Sequence, residues 1–212
     1  AARMIREALR EYPPLKARNF DVYATGSYRN NTNVRLGSDI DVAVALRDVF
    51  YDEYPIDGTL SRDVLGFTSA SYGLTEFRKD VGNALVVRFG PSGVTQGNKT
   101  FNVHENSYRL DADVTTFCEH RRYTGRRHSD GGWEFHSGVE TRPLDDPRTR
   151  IINWHDQHYS EGVARNNATR RRFKRLTRII KRLRNEMRDS GSPEAKQVAG
   201  TTSSFLIECL VF

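Results

Sequence analysis

Alternating apolar and polar positions predict a series of short strands in the first half of the chain. Such alternation places one set of side chains on each face of a strand. Turns rich in glycine, proline and asparagine separate the candidates, and a glycine-rich hairpin is predicted around Gly131 and Gly132. The predicted strands are Asn19–Thr25, Asp39–Leu46, Ala84–Phe89, Lys99–His104 and Tyr108–Phe117. A polar loop over 28–38 separates the first two.

Helical periodicity dominates the later part of the chain. The strongest prediction is a helix over Arg170–Met187, whose apolar positions recur at spacings of three and four residues and form one stripe that we expect to face a core. These positions are Phe173, Leu176, Ile180, Leu183 and Met187. Two earlier helices are predicted, one over 1–12, which ends at two prolines, and one over 69–83. The segment 156–167 is predicted to be a polar loop or a short helix.

The last residues form a further apolar, helix-like run, Ser203–Phe212. A domain rarely stops inside a core segment without a cap, so we expect a shortened chain.

Composition narrows the class of protein. The chain has 212 residues with 10% aromatics and a mean hydropathy of −0.68, which fits about one domain and argues against disorder. No apolar run approaches the roughly 18 residues that a membrane helix needs. Cys118 and Cys209 form neither a disulfide framework nor a metal-ligand spacing. We therefore expect a cytoplasmic protein with no membrane partner.

Positive charge is concentrated in one segment. The net charge is +6, yet the stretch from Arg165 to Arg188 holds eleven basic residues and one acid, Glu186. Such a stretch is typical either of a polyanionic partner, such as a nucleotide triphosphate or nucleic acid, or of a solvated helix face. Charge alone does not decide between them.

Paired aspartates are the first candidate for chemistry. Alternation puts Asp39 and Asp41 on one face of a predicted strand, and Asp111 and Asp113 share a face of a later one. Neighbouring carboxylates repel each other unless a cation lies between them, and Mg²⁺ takes oxygen ligands while keeping positions for phosphates. An isolated Asp-x-Asp pair is also common in turns and at exposed strand ends.

A Gly-Ser turn gives the aspartates their context. Gly26 and Ser27 follow the first predicted strand, and eleven residues, 28–38, separate Ser27 from Asp39. Such a turn can offer backbone N–H groups and a hydroxyl to phosphates. This arrangement resembles the polymerase-β-like nucleotidyltransferase superfamily. Four segments further resemble its bacterial cGAS/DncV-like branch, which synthesises cyclic oligonucleotides in anti-phage signalling. They are Gly26–Val44, Asp111–Phe117, Arg172–Asn185 and Ser203–Leu210.

The resemblance implies catalytic, metal-binding roles for three carboxylates. Asp39 and Asp41 match the family's first pair, with Mg²⁺ or Mn²⁺ as the cofactor. Asp113 matches the third because the family's third carboxylate usually precedes a valine, and Asp111 stays as the alternative.

Nucleotide-binding roles are implied for a second set of residues. They are Gly26, Ser27, Lys181, Ser204 and Phe205. Without the family, Lys181 would be interpreted as a solvated charge and Phe205 as a core residue. Asn166 and Asn167 could read a base edge, with helix capping as the alternative.

Together these features predict an α/β fold, a polymerase-β-like mixed sheet with an incomplete helical C-terminal lobe. Residues 1–145 would form the catalytic core and 146–212 the start of the lobe. The predicted activity joins ribonucleoside triphosphates into a cyclic di- or trinucleotide. A regulatory protein is a possible further partner, and nucleic acid is not a required one. The alternatives are a nucleotidyltransferase with a macromolecular acceptor, RNA or a toxin protein, and a binding module without activity.

Overall fold

The computed structural model describes residues 2–34, 39–104 and 111–212. These ranges contain both helices and strands. The helices are α1 (Ala2–Glu11), α2 (Gly26–Asn30), α3 (Leu74–Phe89), α4 (His155–Ala168), α5 (Arg172–Asp189), α6 (Pro193–Thr201) and α7 (Ser204–Val211). The strands are β1 (Phe20–Ala24), β2 (Ile40–Glu53), β3 (Val94–Gln96), β4 (Thr100–Val103), β5 (Ala112–Arg127), β6 (Trp133–Thr141) and β7 (Ile151–Asn153).

Two compact units share the chain. The first holds Ala1–Thr25 and Asp39–His155, and the second holds Gly26–Ser38 and Asp156–Phe212. The segment after β1 therefore groups with the C-terminal helices, although it lies between two strands of the sheet in sequence. The predicted division into catalytic core and lobe at residue 145 stays a prediction.

The first unit is built on a mixed sheet, as predicted. Its strand order is β1-β2-β5-β4-β3, with β6 on the far part of β5 and β7 beyond it. β2 and β5 run parallel, whereas the other pairs are antiparallel. The glycine-rich hairpin is found where β5 turns into β6, with Arg127 paired to Trp133.

A hydrophobic core joins this sheet to α1 and α3. The buried side chains come from alternate positions of the strands and from one side of each helix. Representative members are Leu9, Val44, Phe77, Leu85 and Val114. Alternation commits one face of β2 and β5 to this core, and their other face carries a second, smaller apolar cluster that includes Ala43, Ala45 and Phe117.

One predicted strand is a helix. Ala84–Phe89 continues α3, because Ala84 and Leu85 extend the buried side that Phe77 and Val81 begin. Two adjacent valines favour a strand locally, but burial against the core overrides that weak preference. The strand prediction over Tyr108–Phe117 holds from Ala112 onward, and its first residues lie outside the described ranges.

The polar segment after β1 also differs from its prediction. Gly26–Asn30 forms the short helix α2 instead of a loop, and residues 35–38 lie outside the described ranges. Among the described helices, none is long and apolar enough to cross a membrane.

The apolar stripe predicted for α5 is not its buried face. Leu176 and Leu183 are 47% and 58% exposed. The buried positions recur every four residues and are mostly polar: Phe173, Thr177, Lys181 and Asn185. Apolar periodicity predicts burial only where another element covers the stripe. On α5 the buried side is instead the one with Thr177, Lys181 and Asn185, and the Lys181 ammonium forms hydrogen bonds within the second unit.

A buried carboxylate ties the far end of the sheet together. Glu140 on β6 is fully buried and accepts hydrogen bonds from Arg150 at 2.8 and 3.0 Å and from Arg142 at 3.2 Å. Its Oε2 also lies 3.0 Å from Nδ1 of His120. Burial raises the pKa of Glu140, but these hydrogen bonds and the arginine charges outweigh it and lower the pKa to about 2.

We expect Glu140→Gln to flatten the acid dependence of stability. The folded-state pKa lies below the ordinary value near 4.5, so the stabilisation is complete above that pH and is lost as the pH falls toward 2. The shift corresponds to roughly 3 kcal/mol. Denaturant unfolding of the parent, Glu140→Gln and the exposed control Glu7→Gln between pH 7 and pH 3 tests this. An unchanged slope with pH in Glu140→Gln would contradict it.

Candidate functional site

Four aspartates meet where β2 and β5 begin, and we call them the acidic edge: Asp39, Asp41, Asp111 and Asp113. The parallel register places Asp41 directly opposite Asp113. Asp39 lies two residues before Asp41, and Ile40 between them donates its N–H to the carbonyl of Asp111 at 3.0 Å. The pairing that the sequence could only propose is therefore present in the backbone ladder.

Like charges govern the electrostatics of the acidic edge. Burial raises the pKa of Asp39, and repulsion by Asp113 and Asp111 raises it further. The pKa of Asp41 is raised by burial and by repulsion from Asp113 and Asp39, with a smaller opposing effect from a backbone hydrogen bond. A bound cation would relieve this repulsion.

The donor chemistry of the acidic edge fits a hard cation such as Mg²⁺, which prefers carboxylate oxygens. Within residues 2–34, 39–104 and 111–212, no group of three or more histidine, cysteine, aspartate or glutamate side chains is arranged to hold a metal ion. The fit therefore rests on donor type and register. The metal-binding roles of Asp39, Asp41 and Asp113 stay predictions.

Asn102 is a residue that the sequence analysis missed. It pairs with Asp113 across β4 and β5, and its Nδ2 donates to Oδ1 of Asp113 at 3.1 Å. Asp41, Asp113 and Asn102 thus form one row across three neighbouring strands. Alternation within Lys99–His104 places Asn102 on the face of the strand that does not carry the buried Phe101 and Val103. Only the register between strands reveals its partner, Asp113.

Gly26 and Ser27 form the turn that leaves β1. Gly26 has φ of 62°, a conformation that favours glycine. Ser27 lies in α2, and its carbonyl accepts the N–H of Thr32 at 2.9 Å. Just before the turn, the N–H of Thr25 bonds to the carbonyl of Asp41 at 2.9 Å, which fixes the end of β1.

Lys181 is not on an exposed basic face. Its side chain is 2% exposed, and its Nζ donates to Glu208 and, at 3.1 Å, to Oγ1 of Thr32. The interpretation as a solvated charge is therefore wrong. A role in triphosphate binding stays a prediction, and any such role must act from within this buried group.

Ser204 and Phe205 open α7. Ser204 Oγ accepts a hydrogen bond from Arg184 at 3.1 Å, while the preceding Ser203 caps the helix by accepting from the N–H of Leu206. Phe205 is 61% exposed, so the core-packing alternative is wrong. Its ring meets the ring of His158 edge-on, with centroids 5.3 Å apart.

The two asparagines lie near the end of α4. Asn166 Oδ1 accepts the backbone N–H of Lys174 at 3.2 Å and so caps the start of α5. Asn167 is exposed, and its carbonyl accepts the N–H of Arg170. Their base-reading role stays a prediction.

Comparison with known proteins gives matches over the whole chain. A nucleotidyltransferase domain model matches residues 2–89, and a model of the cGAS/DncV-like nucleotidyltransferase C-terminal helical domain matches residues 160–212. Cyclic dipyrimidine nucleotide synthase CdnE of Legionella pneumophila is 39% identical over 212 residues, which is 100% of this chain and 68% of that protein. Its namesake from Cecembia lonarensis is 41% identical over 210 residues, 99% of this chain and 66% of that protein.

A solved structure gives the same result. Rhodothermus marinus CdnE c-UMP-AMP synthase, determined with Apcpp and Upnpp, superposes with a TM-score of 0.81 at 31% identity. The match covers 99% of this chain and 67% of that one. The chain thus spans about two thirds of the length of these relatives.

We expect Asp41→Asn to raise stability in a chelator and to weaken the response to Mg²⁺. Removing one of the mutually repelling charges should add about 1 kcal/mol, or a few degrees of melting temperature. Melting curves with EDTA and with Mg²⁺ or Mn²⁺ test this on the parent, Asp41→Asn and the exposed control Asp63→Asn. If Mg²⁺ stabilises Asp41→Asn as much as the parent, the metal assignment fails.

Proposed function

The chain belongs to the cGAS/DncV-like nucleotidyltransferases, and we propose that its protein joins ribonucleoside triphosphates into a cyclic di- or trinucleotide. The acidic edge carries this proposal, because its paired strands set Asp41 opposite Asp113, and burial together with mutual repulsion raises the pKa of Asp39 and Asp41. The two relatives of about 40% identity are both named cyclic dipyrimidine nucleotide synthases. Their names favour a ring of two nucleotides and make a dipyrimidine the first product to seek.

The reaction has one repeated step. A ribose hydroxyl of the acceptor attacks the α-phosphorus of the donor triphosphate, a new phosphoester bond forms, and the bond to the pyrophosphate breaks. A second round within the same molecule closes the ring. Asp39, Asp41 and Asp113 would hold divalent cations. When bound, these cations lower the pKa of the attacking hydroxyl and neutralise the negative charge that develops on the reacting phosphate. Asn102 keeps Asp113 oriented for that task.

Residues of the second unit would bind the donor nucleotide. Gly26 and Ser27 offer a backbone conformation and a hydroxyl suited to phosphate oxygens. Lys181 supplies an ammonium charge, Ser204 a hydroxyl, and the exposed ring of Phe205 a surface on which a base can stack. Each of these assignments rests on the family resemblance together with the exposure and hydrogen bonding described above.

We place this reaction in the cytoplasm and in anti-phage signalling. Both cysteines are free, as a reducing compartment requires, and the family resemblance supplies the signalling role.

A macromolecular acceptor is the second candidate function. It is favoured by the exposed arginines of α5, among them Arg172, Arg175 and Arg182, which lie in the segment of highest positive charge. A phosphate backbone would suit such a surface, and its binding would weaken steeply with salt.

Product analysis distinguishes the two functions. The protein is incubated with the four ribonucleoside triphosphates and Mg²⁺ or Mn²⁺, without nucleic acid, then treated with phosphatase and examined by mass spectrometry. We expect a phosphatase-resistant cyclic product that the Asp39→Ala/Asp41→Ala variant does not make. Incorporation of nucleotide only when RNA or a protein acceptor is added would favour the second function instead.

Phe205→Ala should weaken nucleotide binding without unfolding the protein. Stacking of a base on an aromatic ring contributes about 1–3 kcal/mol, so the KM for the donor should rise roughly 5- to 150-fold. Leu210→Ala is the matched control, because Leu210 is an exposed apolar residue of the same helix. Equal KM values for the two variants would contradict the proposal that Phe205 contacts the base of the donor nucleotide.

A further inference from the structure

Four polar side chains meet in the second unit, and we call them the Glu208 cluster: Thr32, Lys181 and Glu208, which are buried, and His158, which is 37% exposed. Glu208 lies at its centre and is 6% exposed. One carboxylate oxygen accepts from Thr32 at 2.7 Å and from the Lys181 ammonium. The other lies 3.0 Å from Nε2 of His158.

The tautomer of His158 is defined by its two partners. Its Nδ1 lies 3.3 Å from Nδ2 of Asn30, which can only donate. With its proton on Nε2, the imidazole accepts from Asn30 and donates to Glu208.

Burying such charges is costly unless their geometry is well satisfied. Burial raises the pKa of Glu208, but hydrogen bonds from His158, Lys181 and Thr32 outweigh it and lower the pKa to about 2. A buried Lys–Glu pair adds little stability over apolar residues of similar size. The cluster is better explained by what it holds in place than by the stability it adds.

Each partner of Glu208 leads to a residue with a proposed nucleotide-binding role. Thr32 donates its backbone N–H to the carbonyl of Ser27. His158 packs edge-on against Phe205. Lys181 is itself the predicted triphosphate ligand. One carboxylate thus connects the Gly-Ser turn, the lysine and the base-stacking ring inside a single unit.

We propose that Glu208 is a positioning residue that holds Lys181 and the Gly-Ser turn ready for the donor triphosphate. The inference rests on the proposed function. Glu208 and Thr32 engage two of the three ammonium N–H donors of Lys181, which leaves the third for a phosphate oxygen. With Glu208 in place, the Lys181 side chain is already held in one position before the triphosphate binds.

Binding measurements with Glu208→Gln test the proposal. The probes are a non-hydrolysable nucleoside triphosphate and the corresponding monophosphate, each with Mg²⁺. We expect the triphosphate Kd to rise at least about tenfold while the monophosphate Kd changes little. A structural role alone would weaken both ligands alike and lower the melting temperature in proportion, and that result would overturn the proposal.

Glu186→Gln is the matched control. Glu186 is an exposed glutamate of α5 that pairs with Arg182 one turn away, so its substitution removes the same charge outside the cluster. We expect its triphosphate Kd to match the parent. A loss equal to that of Glu208→Gln would mean that net charge explains the effect, which also overturns the proposal.

A double-mutant cycle tests whether Glu208 acts through Lys181. The variants are Glu208→Gln, Lys181→Met and the double variant. A single variant leaves one charge buried without its partner and can fold poorly for that reason, whereas the double variant removes both charges. We expect the double variant to bind triphosphate no more weakly than Lys181→Met. Additive losses would show independent roles. Failure of the parent to bind any triphosphate would instead contradict the proposed function, and this inference with it.

Discussion

The parallel pairing of β2 with β5 is the constraint on which the rest of the first unit depends. Parallel neighbours need a long connection between them. Here α3, β3 and β4 lie in that connection, with α3 packed on the core face and β4 returning beside β5. A slip of one residue would move every side chain of a strand to its opposite face. Core packing thus fixes the register that sets Asp113 between Asp41 on β2 and Asn102 on β4.

Buried and half-buried carboxylates fall into two electrostatic classes in this chain. Glu140 and Glu208 each accept several hydrogen bonds, including at least one from a lysine or arginine, and their pKa values lie far below the ordinary range. Asp39 and Asp41 have other aspartates as neighbours, and their pKa values are raised. The first class holds parts of the fold together. In the second class, aspartate carboxylates repel one another at one place in the fold, and a bound cation would relieve that repulsion.

Sequence reasoning recovered the elements whose local pattern agrees with their surroundings. The family and the mixed α/β fold are confirmed. The aspartate pairs were proposed each on one face of a strand, and the register sets one member of each pair, Asp41 and Asp113, opposite the other. Ala84–Phe89 failed because its valines favour a strand while the core face of α3 requires a helix. The stripe on α5 failed because periodicity shows which residues could be buried, not which face another element covers. Asn102 and Glu208 were missed since register and long-range pairing leave no local signal.

The second unit is discontinuous, and this has a consequence for synthesis. Thr32 forms its hydrogen bond with a residue 176 positions later in the chain. At a translation rate of about 5–20 residues per second, the segment after β1 is synthesised roughly 9–35 s before Glu208. Until α4 is made, α2 has none of its helical partners, whereas every described strand of the sheet precedes α4 in the chain. The order of synthesis therefore makes the Gly-Ser turn one of the last parts of the protein to reach its final environment.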